Sequence, residues 1–496
     1  MMANIKSIAF NNVAEQFDFE LNRFRELLGI ENPGPLEREI KGEIVKILET
    51  APIQALSHRY QLGLVYRVLD KGKHTRLDHT IGVVAKCIIS ADRINFNSEE
   101  SGLQFNKNDV KELAVAAALH DCGHLPVSHA TERAFLTAKG IRKGITHEER
   151  ILPLIVNRNP YFDELRSIVL SWPEFNENSF YRIASIISPI NGDEYEKKIR
   201  NYIRPKRAIQ QLLVSDIDMD RLDYIIRDAS ELNYLPVKTI STKLVNYIKD
   251  LTLIKYKSLS QENFEENVEL CLSEDNKESV FNLLVSRVLL YKYIYFSEKI
   301  RCFEATLTYL IGTFIDNNIA LEPLRLIAMS DDYFINTYLD KLVLYVDNEN
   351  GLQDYLKEQY IDVLKNDKVE RFKYLLPIHD EDIVNPRLKG EFTKEINKRS
   401  YIDNLRSYIN TAVNKDKLIL EQGDILIDVF NLKTGGGDLL VREKDGSLQT
   451  LNHFMNGSNM HRLCSEIRLD IYIKSDLGDK VKESVSNEIN LFFKNI

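Results

Sequence analysis

The chain has 496 residues, a formal net charge of −9, 44% hydrophobic and 28% charged residues, a balance that reads as globular and a length that allows two or three lobes. The acidic total argues against a chain built mainly around nucleic-acid contacts. Five scattered cysteines (Cys87, Cys122, Cys271, Cys302, Cys464) with no CxxC pair exclude a disulfide scaffold and a zinc ribbon and point to a reduced, cytoplasmic setting. The first twenty residues mix acids with apolar side chains, unlike a secretory signal, and no apolar run reaches bilayer-spanning length, so no membrane partner is expected.

In chain order, Asn32-Pro33-Gly34-Pro35 forms a turn before a helical pattern from Leu36 to Leu48. Leu64-Val65-Tyr66-Arg67-Val68 is strand-like, and Asp70 to His74 is a polar turn. Thr75 and Asp78, a hydroxyl and a carboxylate three residues apart, open a helix in the manner of a capping box, with Arg76 and His79 on one face. Asp109-Val110-Lys111-Glu112 opens the next helix. It runs through Leu119 and stops near Gly123, which places His120 and Asp121 in its last turn. Ser128 caps a further helix carrying His129 and Glu132, and Thr146-His147-Glu148 opens another. Helical periodicity continues over residues 150–300. Asp220, Tyr224 and Asp228 fall at i, i+4 and i+8 as one polar stripe, a spacing that Arg287, Tyr291 and Tyr295 repeat. Asp216 and Asp223 read as a solvated acidic face.

Beyond residue 310 the pattern changes. Strand candidates lie at Leu418–Leu420, Ile425–Val429, Asp438–Val441 and Ile467–Ile473, with Gly435-Gly436-Gly437 and Asp445-Gly446 as turns. The expected fold is mainly α, with a helical core over residues 1–310 and a smaller C-terminal α+β lobe over residues 311–496. The glycine run reads as a hairpin turn rather than a phosphate loop, because no helix with Lys-Ser/Thr follows it.

Histidine is scarce, ten in the chain, yet six lie between His74 and His147. His79, the adjacent His120-Asp121 pair and the distant Asp220 supply two imidazoles and two carboxylates, the mixed donor set that a divalent ion uses on phosphate substrates. Their order, H…HD…D, is that of the HD metal-dependent phosphohydrolases. An isolated HD pair could be a helix-end polar group; the ordered set with His124 argues otherwise.

The chain further resembles the HD-domain deoxynucleoside triphosphate triphosphohydrolases. Thr75-Arg76-Leu77-Asp78-His79-Thr80-Ile81-Gly82-Val83 resembles that family's NRFEHSLGV segment, and His120 to His129 resembles HDLGHGPFSH. Thr146-His147-Glu148 resembles its THE. Asp218-Met219-Asp220-Arg221-Leu222-Asp223-Tyr224-Ile225-Ile226-Arg227-Asp228 resembles DVDKWDYFARD. Gln61-Leu62-Gly63 stands about where the family keeps its QLG, and the strand-rich C-terminal region resembles the family's C-terminal lobe.

The resemblance implies roles residue by residue. His79, His120, Asp121 and Asp220 would bind a divalent metal (Mn, Mg, Fe or Zn), which lowers the pKa of bound water and polarises the α-phosphoryl group. His124, His129 and His147 with Glu132 would supply acid/base and phosphate-facing groups. Arg76, Arg221 and Arg287 would neutralise the triphosphate. Tyr224 and Asp228 would face the sugar, Gln61 and Leu62 would pack against it, and Tyr295 would wall it off against a 2′-hydroxyl. The implied reaction converts a dNTP and water to deoxynucleoside and inorganic triphosphate. Family members form tetramers or hexamers, so a homo-oligomer is implied; single-stranded nucleic acid is a candidate partner and antiphage defence a candidate role. The chain departs from the vertebrate pattern at Arg221 (Lys there), Phe296 (Gln there) and Ser57, where an activator-binding arginine is expected. Activation by a nucleotide is therefore not implied. Two other readings compete: another HD nucleotidase or cyclic-nucleotide phosphodiesterase, and a non-catalytic nucleotide- or nucleic-acid-binding HD protein.

Overall fold

The computed structural model describes residues 10–494 apart from 140–145, 189–206, 257–266, 349–350, 367, 380–382, 384–388, 390–391, 393–398, 416–419, 421, 434–438, 452 and 454–464. The glycine run Gly435–Gly437 and the strand candidate at Leu418 and Ile419 lie outside the described residues.

Helices α1 (Val13–Leu28) and α2 (Pro35–Leu48) start the chain. Asn12 caps α1 by accepting from the Glu15 amide, and Pro35 stands at the first position of α2, where a missing N–H costs nothing. Helix α3 (Arg76–Asn97) is buried along most of its surface. Its capping box forms as the sequence implies. Asp78 Oδ2 accepts from the Thr75 amide at 2.7 Å, and Thr75 Oγ1 accepts from the Asp78 amide at 3.2 Å. Around α3 pack α1, α2, α4 (Lys107–Leu119) and, further along the chain, α9 (Met219–Glu231). Between them come α5 (His129–Lys139), α6 (His147–Val156), α7 (Glu177–Ile187) and α8 (Arg207–Leu213).

After α9 the chain forms β1 (Thr252–Tyr256) and β2 (Asn267–Ser273), then α10 (Lys277–Leu290), a π-helical turn over Tyr291–Tyr295, and α11 (Glu298–Asp316). Later come β3 (Phe372–His379), α12 (Arg399–Lys415), β4 (Ile425–Lys433), β5 (Leu440–Arg442), β6 (Leu448–Thr450), β7 (Ser465–Lys474) and α13 (Asp479–Lys494). One sheet has the order β1–β2–β5–β6 and the other β3–β7–β4. The second is antiparallel throughout and shares a small core with α12 and α13 that includes Ile378, Leu405, Ile409, Ile471 and Ile489. No helix among the described residues is long and apolar enough to cross a membrane.

The mainly α architecture with small C-terminal sheets agrees with the sequence reading. Residue 310 falls inside α11. The parts on either side interlock: β2 pairs in parallel with β5, from Cys271↔Leu440 to Ser273↔Arg442. Fully buried Arg301 of α11 also bridges Glu304 to Asp428 and donates to the Val429 carbonyl of β4 at 2.8 Å.

Several local readings are corrected. Leu64–Val68 forms no strand; Val65–Val68 is a helical turn. Helix α4 begins at Lys107, with Asn106 as its cap and Asp109 three residues in, so the acidic residue closes the box rather than opening the helix. Residues 150–300 are not helical throughout, since β1 and β2 lie within them. The spacing of Arg287, Tyr291 and Tyr295 is not carried by one α-helix, because α10 loosens into the π turn after Leu290. Such turns recur at functional sites.

Candidate functional site

His79 projects from the first turn of α3, His120 and Asp121 follow the end of α4, and Asp220 stands in the first turn of α9. The Lys107–Leu119 helix stops before the pair, so His120 and Asp121 lie in the turns that lead to Gly123 rather than in its last turn. The need for glycine at 123 is steric. A Cβ there would sit 2.0 Å from the His147 carbonyl oxygen, so only glycine lets the start of α6 come this close.

His79 Nε2 lies 2.9 Å from Asp220 Oδ1 and 3.8 Å from Asp121 Oδ2, and His120 Nε2 lies 3.3 Å from Asp121 Oδ1 and 3.8 Å from Asp220 Oδ1. One donor atom each from His79, His120 and Asp220 falls within 4.8 Å of the others. The donor chemistry fits a divalent cation. The Nδ1 of His120 is 2.7 Å from the Ala117 carbonyl, which requires a proton on that nitrogen, so Nε2 is the ring atom available to a metal ion. Nε2 is buried without a hydrogen-bond partner and faces two carboxylates, an arrangement that a cation held by the ring and both carboxylates satisfies.

The same field shows in the proton equilibria. Burial disfavours charge on His79, yet hydrogen bonds to Asp220 and Asp223 prevail and raise its pKa to about 10. Burial likewise opposes ionisation of Asp220, but His79 brings it down to about 2. For Asp121 the burial penalty is overcome by Arg76, His120 and His124, which hold it well below the carboxylate range. The negative field that favours a proton here favours a dication too, and the two compete for His79.

Behind His79 stands Asp223, 1% exposed. Its Oδ2 is 2.8 Å from His79 Nδ1, and the carboxylate also accepts from Lys86 Nζ at 2.6 Å and from Arg227 at 2.8 and 2.9 Å. Arg227 continues to Glu20 of α1 at 2.9 Å. The expectation of a solvated Asp223 is therefore wrong. Tertiary packing supplied two buried cations and an imidazole that the local acidic run did not reveal, although Arg227 at i+4 was a usable signal. Gly82 of α3 makes room for this pair, since a Cβ there would lie 2.2 Å from Asp223 Oδ1. Carboxylate–histidine pairs of this kind fix the tautomer and aim of a metal-binding ring.

A second group adjoins the first. His124 is buried between Asp121 and Glu132, with Nε2 3.2 Å from Asp121 Oδ1 and Nδ1 3.3 Å from Glu132 Oε1. His129 Nδ1 lies 3.1 Å and His147 Nδ1 3.6 Å from the same Glu132 carboxylate, which Arg150 also binds. These donors are close enough to suit a second ion. The rings argue against one: His124 and His147 stack at 3.7 Å with planes 20° apart, so no single ion lies in both ring planes, and Arg150 already neutralises Glu132. The group is better suited to handling protons. Burial, Arg76 and His147 hold His124 well below the usual imidazole value. Burial opposes charge on His147, but Glu148 and Glu132 raise it to about 8. His129 is largely exposed.

Ser128 does not act as a side-chain helix cap. Its backbone is left-handed (φ 54°), like that of β-branched Val127 (φ 60°), and its hydroxyl accepts from Arg76 Nε at 2.7 Å. Asp331, fully buried and more than 200 residues away in sequence, holds this turn. Its two oxygens accept from the Val127 amide at 2.7 Å and the Tyr60 amide at 2.8 Å, tying the Gln61 segment to the His120–His129 segment. Nothing in the run Ser330-Asp331-Asp332 distinguishes it from a surface turn.

The remaining expected residues divide. Arg76 is buried and directed at Asp121 Oδ2 (2.6 Å) and Ser128, so in this structure it braces a carboxylate instead of standing free in the cleft. Arg221 is likewise engaged, by Asp218 and the Ser215 carbonyl. Arg287, over the Tyr291 ring, keeps a buried Nε without a partner. Tyr224 Oη and Gln61 Oε1 are also buried and unpartnered. Leu62 is half-buried beside Gly72. Asp228 is almost fully buried, with one oxygen 2.7 Å from His74 and the other accepting from the Tyr295 hydroxyl at 2.5 Å. The sequence reading did not single out His74, and the local crowding of histidines was its only signal.

The HD domain family matches residues 76–227, which include all four candidate metal residues. The chain is 28% identical over 255 residues to an uncharacterized protein of Mycoplasma pneumoniae, covering 50% of this chain and 51% of the relative. It is 27% identical over 207 residues to the human deoxynucleoside triphosphate triphosphohydrolase SAMHD1, covering 39% of this chain and 32% of that protein. The chain thus matches about half or less of the length of these curated relatives. The crystal structure of a hypothetical protein from Aquifex aeolicus covers 89% of this chain and 95% of its own, with a TM-score of 0.56 and 18% identity, a likeness of fold.

Proposed function

We propose that this HD-domain protein is a metal-dependent phosphohydrolase that cleaves deoxynucleoside triphosphates to deoxynucleoside and inorganic triphosphate. The observation that carries the reading is the pairing of two neighbouring groups: the His79–His120–Asp121–Asp220 cluster, suited to a divalent ion, and the His124–His147–Glu132 cluster, joined to it through Asp121 Oδ1. The partial similarity to SAMHD1 supports the choice of substrate class.

A divalent ion bound at the first cluster supplies Lewis-acid activation of water and of a phosphoryl oxygen. The chain's own groups do the rest. Asp223 holds the His79 ring in place through Nδ1. Arg76 fixes Asp121 through one oxygen and leaves the other toward His120 and His124. His147, whose pKa is raised to about 8 by Glu148 and Glu132 against burial, is the donor suited to the departing 5′ oxygen. Arg287 and Tyr224, each with a buried polar atom unpartnered inside the protein, face the phosphate and sugar. The His124 ring, held uncharged, lies between the two carboxylates and relays position from one cluster to the other. A homo-oligomer is part of the same proposal.

The test is product analysis. Purified protein is incubated with each dNTP and Mn²⁺ or Mg²⁺, and the products are separated. Deoxynucleoside with triphosphate supports the reading; pyrophosphate or single phosphate as the released product rejects it.

A further inference from the structure

His74 has no role in the steps above, yet it joins three segments of the candidate site. Its backbone carbonyl accepts from the Gln61 amide at 3.0 Å. Its side chain is 4% exposed, and Nε2 lies 2.7 Å from Asp228 Oδ1 on α9. The second oxygen of Asp228 accepts from Tyr295 in the π turn at 2.5 Å. A buried carboxylate requires donors, and these two side chains are the ones the structure aims at Asp228.

The pattern fixes the proton positions. Asp228 is the acceptor on both sides, so His74 presents Nε2–H to it and Tyr295 presents its hydroxyl hydrogen. Nδ1 of His74 is left buried with no partner, as is Gln61 Oε1 in the adjoining segment. Tyr224, one turn before Asp228 on α9, adds a third buried and unpartnered polar atom. These three buried polar atoms call for a ligand that brings hydrogen-bonding groups, as a sugar does, and a wholly apolar group would leave them unsatisfied.

We propose that His74 is a specificity-determining positioning residue for the nucleotide sugar: by holding Asp228 it locks Tyr295, and the locked ring sets the room available at the sugar's 2′ position. The proposal rests on the deoxynucleotide reading above. In a protein without the His74 donor, Asp228 keeps only Tyr295, the tyrosine is free to shift with its partner, and the pocket loses its fixed wall.

The experiment compares wild type, His74→Phe, His74→Gln and Tyr295→Phe. Phenylalanine keeps ring volume and removes the donor; glutamine places an amide N–H near the position of Nε2. Each protein is assayed with dGTP and GTP and with dATP and ATP for KM, kcat and bound metal, and equilibrium binding of the same four nucleotides is measured by calorimetry with a chelator present. His74→Phe and Tyr295→Phe are expected to raise KM for the deoxynucleotides and to cut the deoxy-over-ribo preference about tenfold, the scale of one buried charge-assisted hydrogen bond left unmade. Metal content stays at the wild-type level, and His74→Gln restores most of the preference. An unchanged preference in His74→Phe overturns the proposal, as does a loss confined to kcat with KM and preference intact. Should His74→Phe fail to fold, an unchanged preference in Tyr295→Phe overturns it equally. The two readings separate cleanly. A wild type that prefers deoxynucleotides in binding but hydrolyses none rejects the activity alone. A wild type that releases triphosphate from dNTP and NTP alike rejects the role of His74 alone.

Discussion

Replacing Asp223 with asparagine tests the link between packing and metal binding most directly. In the native protein, Glu20, Asp223, Lys86 and Arg227 form a buried group of two anions and two cations. Asp223→Asn leaves that group with one uncompensated positive charge, placed behind the ring of His79, a candidate metal ligand. Breaking a buried ion pair by removing one partner costs about 3–5 kcal/mol of stability. Loss of the carboxylate behind a metal-bound histidine typically weakens metal binding about 10–100-fold, or roughly 1.4–2.8 kcal/mol. The two costs are separable. Chemical denaturation of the metal-free protein reads the first, and calorimetric titration with Mn²⁺ reads the second. Adding Lys86→Met to Asp223→Asn removes the surplus charge, so the double variant regains part of the stability and none of the metal affinity, since His79 Nδ1 still lacks its carboxylate. Wild-type Mn²⁺ affinity together with a wild-type unfolding midpoint in Asp223→Asn would refute both effects.

Other changes have equally definite outcomes. Asp121→Asn should abolish dNTP turnover and lower bound metal measured by elemental analysis; full metal content with full turnover would remove Asp121 from the site. For pH dependence, His147 is a proton donor only while protonated, and its pKa is raised to about 8 by Glu148 and Glu132 against burial. The kcat/KM profile should therefore fall as pH rises through about 8. In Glu132→Gln that limb moves to lower pH, because one of the carboxylates holding the proton is gone; a limb that stays in place assigns the proton to another group. Asp331→Asn keeps one acceptor oxygen and turns an amide N–H toward the second backbone N–H, which costs about 1–3 kcal/mol for the lost buried bond. Denaturation should show that loss, with a fall in kcat as the strained Val127–Ser128 turn relaxes; wild-type values for both would reject the brace. Gly123→Ala drives a Cβ to within 2.0 Å of the His147 carbonyl and must displace α6. Turnover should drop by about 100-fold, the scale of an ångström-sized misplacement of a catalytic group, while Mn²⁺ still binds; an unaffected rate would separate His147 from the chemistry.

Much of this protein is legible from its sequence because the relevant signals are local. Thr75 and Asp78 form their capping box through contacts three residues apart, and the 3.6-residue period puts Asp220, Tyr224 and Asp228 on one face of α9. The β4, β5 and β7 strands appear where alternating or continuous apolar runs are bounded by turn residues. The H…HD…D order brings forward the same four residues that the fold gathers into one pocket.

What the tertiary structure alone decided depends on partners far away in the chain. Asp223 reads as solvated until Lys86 and His79 arrive from α3, 137 and 144 residues distant. Asp331 is an ordinary acid until two backbone amides, one 271 and one 204 residues away, converge on it. Arg76 can be read as a free cation for phosphate, and the folded chain commits it to Asp121 and Ser128. Leu64–Val68 has the composition of a strand but pairs with no strand among the described residues, and Val65–Val68 closes into a helical turn. Residue types and periodicity determined which side chains could do chemistry and which helices carry them. Burial turned neighbouring charges into obligatory pairs, and only the three-dimensional packing set which charges those were.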